Sequence, residues 1–365
     1  MALSTIPTRA LSEQGINFRN LIINGDMSIA QRGTSTASIT GTGYFTIDRV
    51  KNAMSGFGTW TQSQSTDVPS GEGFGYSLKY DCTTANASLS ASAFGIFQMS
   101  KLEGQMLQHL KKGTANAESL TISFWVKSSK TGTYIVELFD EDNSRFTNKS
   151  YSINSASTWE KKTITFDGDT TGAFNNDNGD SLSINFWLGA GTTFTTGSLQ
   201  TTWGGNTASN RAVGQVNLAD NTANEWYITG VQLEVGTSAS DFEFLPYDVN
   251  LQRCQRYYEI LQATDSYDTI LATWNRNTSD MGACLNYKVT KRTEPSFSFS
   301  NGNTFRMNTA TGDHTASSIS SSNPTIYTAQ INIIASGTPL TAGQAAYLNM
   351  ENGNGDAIIR MDAEL

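Results

Sequence analysis

Apolar and polar residues alternate along several short stretches of this chain. In "SLTISFWVKS" (119–128) and "SLSINFWLG" (181–189), every second residue is a large apolar one. Stretches 133–140, 161–167 and 224–236 fit the same period, and turn-forming sequences such as "DEDN" and "NNDNGD" lie between them. A period of two predicts strands with one face in a core. The pattern therefore predicts an all-β fold with a β-sandwich in the first two thirds of the chain.

One stretch in this region departs from the alternation. In "KLEGQMLQHLKK" (101–112), Leu102, Met106 and Leu110 recur every four residues, and Gly113 follows two lysines. This spacing and this ending are typical of a helix C-terminus. The pattern predicts a short helix that lies on the sandwich.

A second helix is predicted after Pro246, over residues 248–266. Its apolar seam has spacings of three, four and three, and consists of Leu251, Cys254, Tyr258 and Leu261. A helix this short is marginal alone in water, so we expect the seam to pack on other subunits or on the flanking domains. Strand-like segments return over 267–365 and predict a smaller C-terminal β-sandwich.

Three tryptophans fall out of phase with the aliphatic residues of their strands. Trp125 and Trp187 are in phase with polar residues, and Trp226 is in phase with Gln232 if Tyr227 belongs to the core set. Indole rings beside amides such as those of Asn185 and Gln232 suit sugar rings. The glycan-binding candidates are therefore Trp125, Trp187, Trp226, Asn185 and Gln232. In the alternative interpretation these rings pack under the 101–112 helix, under the 191–213 loop or against another chain, and we expect burial for at least two of the three.

Composition and charge exclude several classes of protein. The 365 residues are 38% hydrophobic and 16% charged, which suits two domains, and the net charge of −9 without a basic run argues against nucleic-acid binding. No apolar run is long enough to span a membrane. The cysteines and the two histidines, His109 and His314, are widely separated, so we expect no disulfide framework, metal site or cofactor, and no enzyme.

The stretch "NLIINGDMSIAQRG" (20–33) contains Asn24-Gly25-Asp26 directly after an apolar run. Asn-Gly favours a tight turn because both residues tolerate positive φ. Neither the spacing of a dinucleotide-binding loop nor that of a P-loop is present. We interpret this motif as a turn that opens the sandwich.

Three segments carry a resemblance to a known family: "NLIINGDMSIAQRGTS…YFTIDRV", "LEGQMLQHLKKGTANAESLTISFWVKSSKTGTY" and "NEWYITGVQLEVGTSASDFEFLPYDVNLQRCQRYYE". Over residues 19–259 the chain resembles the tail-fibre-like structural proteins of tailed bacteriophages. The resemblance implies a jelly-roll sandwich similar to carbohydrate-binding modules at 19–247, and a distal tip domain at 267–365. It also implies a non-enzymatic, homotrimeric virion protein that displays a host-binding surface.

Related modules often hold a structural calcium near their first and last strands. Here Ser28 stands where a glutamate is expected, and Thr229-Gly230 stand where aspartates are expected. The resemblance therefore implies a module of this kind that lacks the expected calcium-binding carboxylates at that position.

The predicted function is that of a homotrimeric tail fibre or receptor-binding protein on the virion exterior, made in the host cytoplasm, that attaches to a host surface glycan. Residues 1–18 are predicted to form an arm that binds another virion protein, and the loops Asn301–Thr311 and Asn352–Asp356 are predicted receptor contacts. The alternatives are a capsid-decorating head fibre, a glycan-degrading tailspike enzyme and the carbohydrate-binding module of a secreted enzyme.

Overall fold

The computed structural model describes residues 19–263, 265–351 and 356–365. The predicted arm at 1–18 and most of the predicted loop Asn352–Asp356 lie outside these residues. The chain divides into two compact units, with the boundary between Pro246 and Tyr247. The described part of the chain has no helix of the length and hydropathy that crossing a bilayer requires.

The first unit is built from two antiparallel sheets. One sheet has six strands in the order β1-β4-β5-β13-β7-β10, and the other has seven in the order β12-β9-β8-β11-β6-β3-β2. The strands are β1 Ser35–Ile39, β2 Gly43–Tyr44, β3 Val50–Ser55, β4 Thr59–Ser65, β5 Ser77–Thr84, β6 Phe94–Glu103, β7 Leu120–Ser128, β8 Gly132–Asp140, β9 Arg145–Ile153, β10 Glu160–Phe166, β11 Asp180–Ala190, β12 Gly204–Gly205 and β13 Glu225–Val235.

The predicted all-β fold with a jelly-roll-like sandwich is confirmed. Each of the five stretches with period two is a strand, because alternation lets one face of each strand enter the core. Aromatic rings fill the space between the sheets: the Phe124 and Phe186 centroids are 5.0 Å apart, and those of Phe97 and Trp226 are 5.4 Å apart. All four of these side chains are fully buried.

Strand β13 changes its inward-facing phase halfway along. Trp226 and Ile228 point into the core, and a bulge lies between Thr229 and Gln232. From Val231 in this bulge onward, the core residues are Val231 and Leu233. A bulge inserts an extra residue and so reverses which residues face inward. The expectation that Trp226 points away from the core is therefore wrong, because it assumed an unbroken period of two along this strand.

The bulge receives the turn at Asn24-Gly25. The backbone of Val231 donates to the Gly25 carbonyl at 2.9 Å, and a Cβ on Gly25 would stand 2.1 Å from the Val231 carbonyl oxygen. Asn24 adopts φ 63° and its side chain bonds Ile29 and the Asp48 carbonyl. The predicted turn is confirmed, and glycine is required there by the close approach to β13.

The predicted helix at 101–112 is wrong. Residues up to Glu103 belong to β6, and two 3₁₀ turns follow at Gly104–Met106 and Gln108–Leu110. Gly104 packs so tightly that an added Cβ would lie 2.0 Å from the Asn175 carbonyl oxygen. This tight contact and the left-handed backbone of Lys111 (φ 52°) hold the segment in short turns instead of a regular helix.

The second unit begins with the helix Tyr247–Gln255, and its described residues continue with nine strands. Six strands close into a barrel in the order β15-β16-β20-β19-β18-β21, and three form a sheet in the order β14-β22-β17. The strands are β14 Tyr258–Ala263, β15 Thr269–Asn275, β16 Asp280–Asn286, β17 Ser296–Phe299, β18 Phe305–Thr309, β19 Gly312–Ser322, β20 Thr328–Ala335, β21 Ala345–Met350 and β22 Ala357–Asp362. The smaller C-terminal β domain thus contains a closed barrel beside an open sheet.

The predicted connector helix 248–266 is wrong in its second half. The helix ends at Gln255, and Tyr258 and Leu261 lie on β14, where they pair with Asp362 and Ile359 of β22. Pairing with β22 satisfies the backbone of this segment, and it also separates the four seam residues. Leu251 and Cys254 are on the helix, and the buried Cys254 and Tyr258 pack within their own chain.

A lysine ammonium enclosed by oxygen atoms joins the loops at one end of the sandwich. Lys112 Nζ lies 2.5 Å from Asp140 Oδ2, 3.0 Å from Asp169 Oδ2 and 2.6 Å from the Gly172 carbonyl oxygen. Arg145 also pairs with Asp169. Burial alone would raise the pKa of Asp169, but the hydrogen bonds from Arg145 and Lys112 outweigh it and lower that pKa.

Replacing this buried cation should destabilise the fold. Lys112→Met leaves the buried Asp140 without its ammonium partner, so we expect the free energy of unfolding to fall by about 3–5 kcal/mol. The control Lys111→Met removes a neighbouring lysine whose side chain is 53% exposed and paired with Glu118, and should cost less than about 1 kcal/mol. Urea unfolding at neutral pH measures both, and equal losses would contradict the structural role of Lys112.

The loss of stability in Lys112→Met should depend on pH. Because the folded-state pKa of Asp169 is lowered, its stabilising contribution is present above the ordinary value of about 3.9 and is lost as the pH falls through the lowered value. The difference in the free energy of unfolding between Lys112→Met and the unchanged protein should therefore become smaller below about pH 4. Urea unfolding repeated at several pH values measures this difference.

Candidate functional site

The five predicted glycan-binding residues do not share one surface. Trp125 is half-buried on the outer side of the six-stranded sheet, whereas Asn185 and Trp187 lie on the outer side of the seven-stranded sheet. Trp226 is in the central core. A single platform built from these residues is therefore excluded.

Trp187 does point away from the central core, but the segment 191–217 covers it. The ring is fully buried against Ile135 and Ala212, and its centroid is 5.4 Å from that of Phe194. The guanidinium of Arg211 lies 5.2 Å from the ring centroid. Trp187 thus follows the alternative of packing under a loop, and a sugar cannot reach its face. Trp187 and Trp226 are both fully buried, so two of the three tryptophans are buried, as expected.

Gln232 is also unavailable to a ligand. Its side-chain nitrogen donates to Glu234 Oε1 and Ser240 Oγ, at 3.0 and 3.1 Å, and its oxygen accepts from the Glu243 backbone at 2.8 Å. These bonds hold the segment after β13 against the sheet. The prediction of a glycan contact at Gln232 is wrong because the amide is fully buried and engaged within the chain.

A row of polar side chains crosses the outer face of the seven-stranded sheet. Its members are in register from strand to strand, and residues in register share a face of the sheet. From the β2 edge inward the row consists of Tyr44, Lys51, Gln98, Asn185, Glu137 and Asn148. We name these six residues the transverse row.

The inner end of the transverse row is covered and rigid. Glu137 is fully buried and accepts two hydrogen bonds from Arg211, at 2.6 and 2.9 Å, and one from Asn185 Nδ2 at 2.8 Å. Asn148 donates to the carbonyls of Asn210 and Arg211. Desolvation alone would lower the pKa of Arg211, but Glu137 outweighs it and raises that pKa, so the ion pair is retained in the folded protein.

The outer end of the transverse row has unused hydrogen-bonding capacity, and it passes from the buried Asn185 to the half-buried Gln98. The Gln98 amide makes no hydrogen bond within the described residues, and Asn185 Oδ1 is buried without a partner there. The Tyr44 ring lies 5.2 Å from the Arg32 guanidinium carbon and 5.5 Å from Lys51 Nζ. This end therefore offers two amides and one aromatic ring to a polar ligand.

A second set of polar residues lies beside the transverse row, on β6, on β11 and directly after β8. Ser183 donates to Glu141 Oε1 at 2.8 Å, and Lys101 pairs with Asp180. Desolvation of its carboxyl group, together with the negative charge of Asp180, raises the pKa of Glu141. A raised carboxyl pKa is what a general acid needs, so Glu141 is the carboxylate to examine for hydrolysis.

The described residues contain no group of three or more histidine, cysteine, aspartate or glutamate side chains that could hold a metal ion. In the first unit, the oxygen cage around Lys112 has the donor types that calcium prefers, namely carboxylates and backbone carbonyls. The lysine ammonium fills that cage. At the opening turn, Asp26 Oδ1 accepts from Ser28 Oγ, and Thr229 Oγ1 donates to the Tyr76 carbonyl.

Sequence reasoning found one member of the transverse row, Asn185, and missed the others. Each of the missed residues is a single polar position in an alternating strand, which is the ordinary appearance of a solvated face. These residues form a row only because six strands are aligned in the order β2-β3-β6-β11-β8-β9. This order joins segments that are far apart in the chain. The polar phase of β6, "FGIFQMSKLE", is the one local signal that could have indicated Gln98.

The chain matches no family model and no curated protein. It is similar to several solved structures that include a phage tailspike domain and carbohydrate-binding modules. One is the enzymatically active domain of tailspike protein 4 of bacteriophage CBA120, with 15% identity over 60% of this chain and 21% of that one, at a TM-score of 0.31. Another is a putative sugar binding protein from Bacteroides thetaiotaomicron, with 12% identity over 59% and 99% of the two chains, at a TM-score of 0.30.

A third is a Clostridium thermocellum endo-1,4-β-D-xylanase in complex with xylohexaose, with 10% identity over 61% and 29% of the two chains, at a TM-score of 0.27. The chain thus spans about a fifth of the tailspike domain's length. At these TM-scores and identities the likeness carries no conclusion about function.

Proposed function

We propose that this chain is a non-enzymatic structural protein of a bacteriophage virion whose seven-stranded sheet binds a carbohydrate chain of the host surface. The transverse row is the observation that carries this proposal. Its outer end places the half-buried Gln98 amide, which makes no hydrogen bond within the described residues, beside the buried and unpartnered Asn185 Oδ1, with the Tyr44 ring at the sheet edge. Sugars are recognised by amides that bond their hydroxyl groups and by aromatic rings that stack on their C–H faces.

The charge of this face favours a neutral glycan. Its carboxylates at Glu137 and Asp180 are paired with Arg211 and Lys101, and Glu141 beside them accepts a hydrogen bond from Ser183 and has a raised pKa. The bound Glu137 also fixes the Asn185 amide, so that its Oδ1 is directed without a loss of side-chain entropy on binding. The Asn185 amide is therefore preorganised to accept a hydrogen bond from a sugar hydroxyl group.

Gln98→Ala and Asn185→Ala should each weaken glycan binding about five- to tenfold, since each removes about 1 kcal/mol of hydrogen bonding. The matched control is Gln252→Ala, which removes an exposed glutamine from the helix Tyr247–Gln255. Binding of the full chain is measured on a printed array of bacterial capsule and O-antigen polysaccharides, with the melting temperature recorded for each variant. A wild-type chain that binds no polysaccharide, or a Gln98→Ala variant that binds as well as Gln252→Ala, would contradict the proposal.

The non-enzymatic part of the proposal has its own test. A glycosidase needs two carboxyl groups across the scissile bond, and Glu137 and Asp180 near Glu141 are both held in ion pairs. Incubation with a bound polysaccharide should leave its chain length unchanged, for the unchanged protein and for Glu141→Gln alike. Shortened chains that disappear in Glu141→Gln would instead establish a degrading tailspike enzyme.

Assembly and location are part of the same proposal. The resemblance to tail-fibre-like proteins supports a homotrimer that joins another virion protein through residues 1–18, on the tail or as a head fibre on the capsid. Light scattering should report a trimer for the full chain and for a chain without residues 1–18, and only the full chain should be incorporated into particles. A monomer would refute the trimer, and incorporation of the shortened chain would place the attachment elsewhere.

A further inference from the structure

We propose that the outer wall of the C-terminal barrel carries a second carbohydrate-binding surface, built on Trp274 and Tyr347. This inference rests on the proposed function for its ligand class, a neutral glycan, but it uses none of the residues of the transverse row. The two side chains are 44% and 55% exposed, which is unusual for rings of this size on strands.

The two rings occupy diagonal positions on neighbouring strands. Trp274 of β15 pairs with Ala345 of β21, and Tyr347 of β21 pairs with Ala272 of β15. Diagonal positions of an antiparallel pair are about 7–8 Å apart, within reach of aromatic side chains. The rings thus form one aromatic strip on the wall of the barrel.

Three of the four residues that flank the strip in register are small. Ala345 and Gly282 flank Trp274, and Ala272 and Asn308 flank Tyr347. At the two alanine positions, a larger side chain would cover the ring faces, which a stacked sugar needs open. Both rings therefore stand above the alanines beside them.

Hydrogen-bonding groups lie over Gly282 and on the strand next to it. Arg276 folds over this glycine, since an added Cβ would stand 2.5 Å from the Arg276 Nε. Arg276 NH2 donates to Asn332 Oδ1 at 2.5 Å, and Asn332 Nδ2 donates to Ser322 Oγ at 3.0 Å. Asn332 is in register with Gly282, so the indole, the guanidinium and the amide follow one another across the wall.

The charge and size of this surface favour a neutral sugar over a protein. Arg276 is paired with Asp280 and, on the neighbouring part of the wall, Arg306 is paired with Asp313, so neither guanidinium is left for an anion. A stable protein interface buries about 800 Å² on each partner, which two rings among alanine, serine and asparagine do not supply. Stacking on the strip with hydrogen bonds to the Arg276–Asn332 pair suits one or two sugar rings.

The test uses Trp274→Ala and Tyr347→Ala in the full chain, each alone and combined with Gln98→Ala. The matched control is Tyr327→Ala, which removes a tyrosine that is 61% exposed outside the barrel strands. The probe is the same array of bacterial capsule and O-antigen polysaccharides. We expect Trp274→Ala to weaken binding about five- to tenfold and Tyr347→Ala about threefold, with the melting temperature and the assembly mass unchanged.

Three results would overturn this surface. The first is a Trp274→Ala variant that binds like Tyr327→Ala, and the second is a complete loss of binding in Gln98→Ala alone. The third is a change of assembly mass in Trp274→Ala, which would make the strip a contact between copies. In the second case the sheet face would still stand as the binding site. Binding that Trp274→Ala weakens while Gln98→Ala and Asn185→Ala do not would support the barrel surface and reject the transverse row.

Discussion

The fold of the first unit depends on one close backbone contact, that between Gly25 and Val231. The opening turn can reach β13 only because position 25 has no Cβ, and β13 can receive it only because the bulge presents the Val231 carbonyl and amide to the turn. The same bulge reverses the phase of the strand, which directs Trp226 into the core and turns the Gln232 amide toward the segment after the strand. The sequence "INGD" is thus a packing motif whose partner lies more than 200 residues away.

The polar groups of the sandwich have two roles. One network stabilises the fold, and the transverse row offers hydrogen-bonding groups to a ligand. Lys112 and its carboxylates are fully enclosed, and breaking such a network costs stability because a buried charge loses its partner. The transverse row begins in the same way, with the Glu137–Arg211 pair, but continues through the buried Asn185 to the half-buried Gln98, and both amides have hydrogen-bonding capacity left. The rigid end therefore orients the available end, as a preorganised binding surface requires.

How much could be predicted from the sequence depended on whether a feature is local. Alternation placed β7, β8, β10, β11 and β13 correctly, because burial of one face acts within each strand. It failed at Trp226, where a bulge changes the phase, and at Leu102, where β6 extends into a segment with helical spacing. It also failed at Tyr258 and Leu261, because pairing with β22, a hundred residues later, decides their conformation. The candidate site was missed because it depends on the register between strands, and the sequence of a single strand does not determine that register.

The most direct test of the account is a crystal structure of the full chain with a bound oligosaccharide, prepared from a polysaccharide that the chain binds. The account predicts sugar density along the outer face of the seven-stranded sheet, with hydroxyl groups bonded to the Gln98 amide and to Asn185 Oδ1 and with Tyr44 at the edge. Sugar density over Trp125 on the opposite sheet, with the Gln98 and Asn185 side chains still free of ligand, would contradict it.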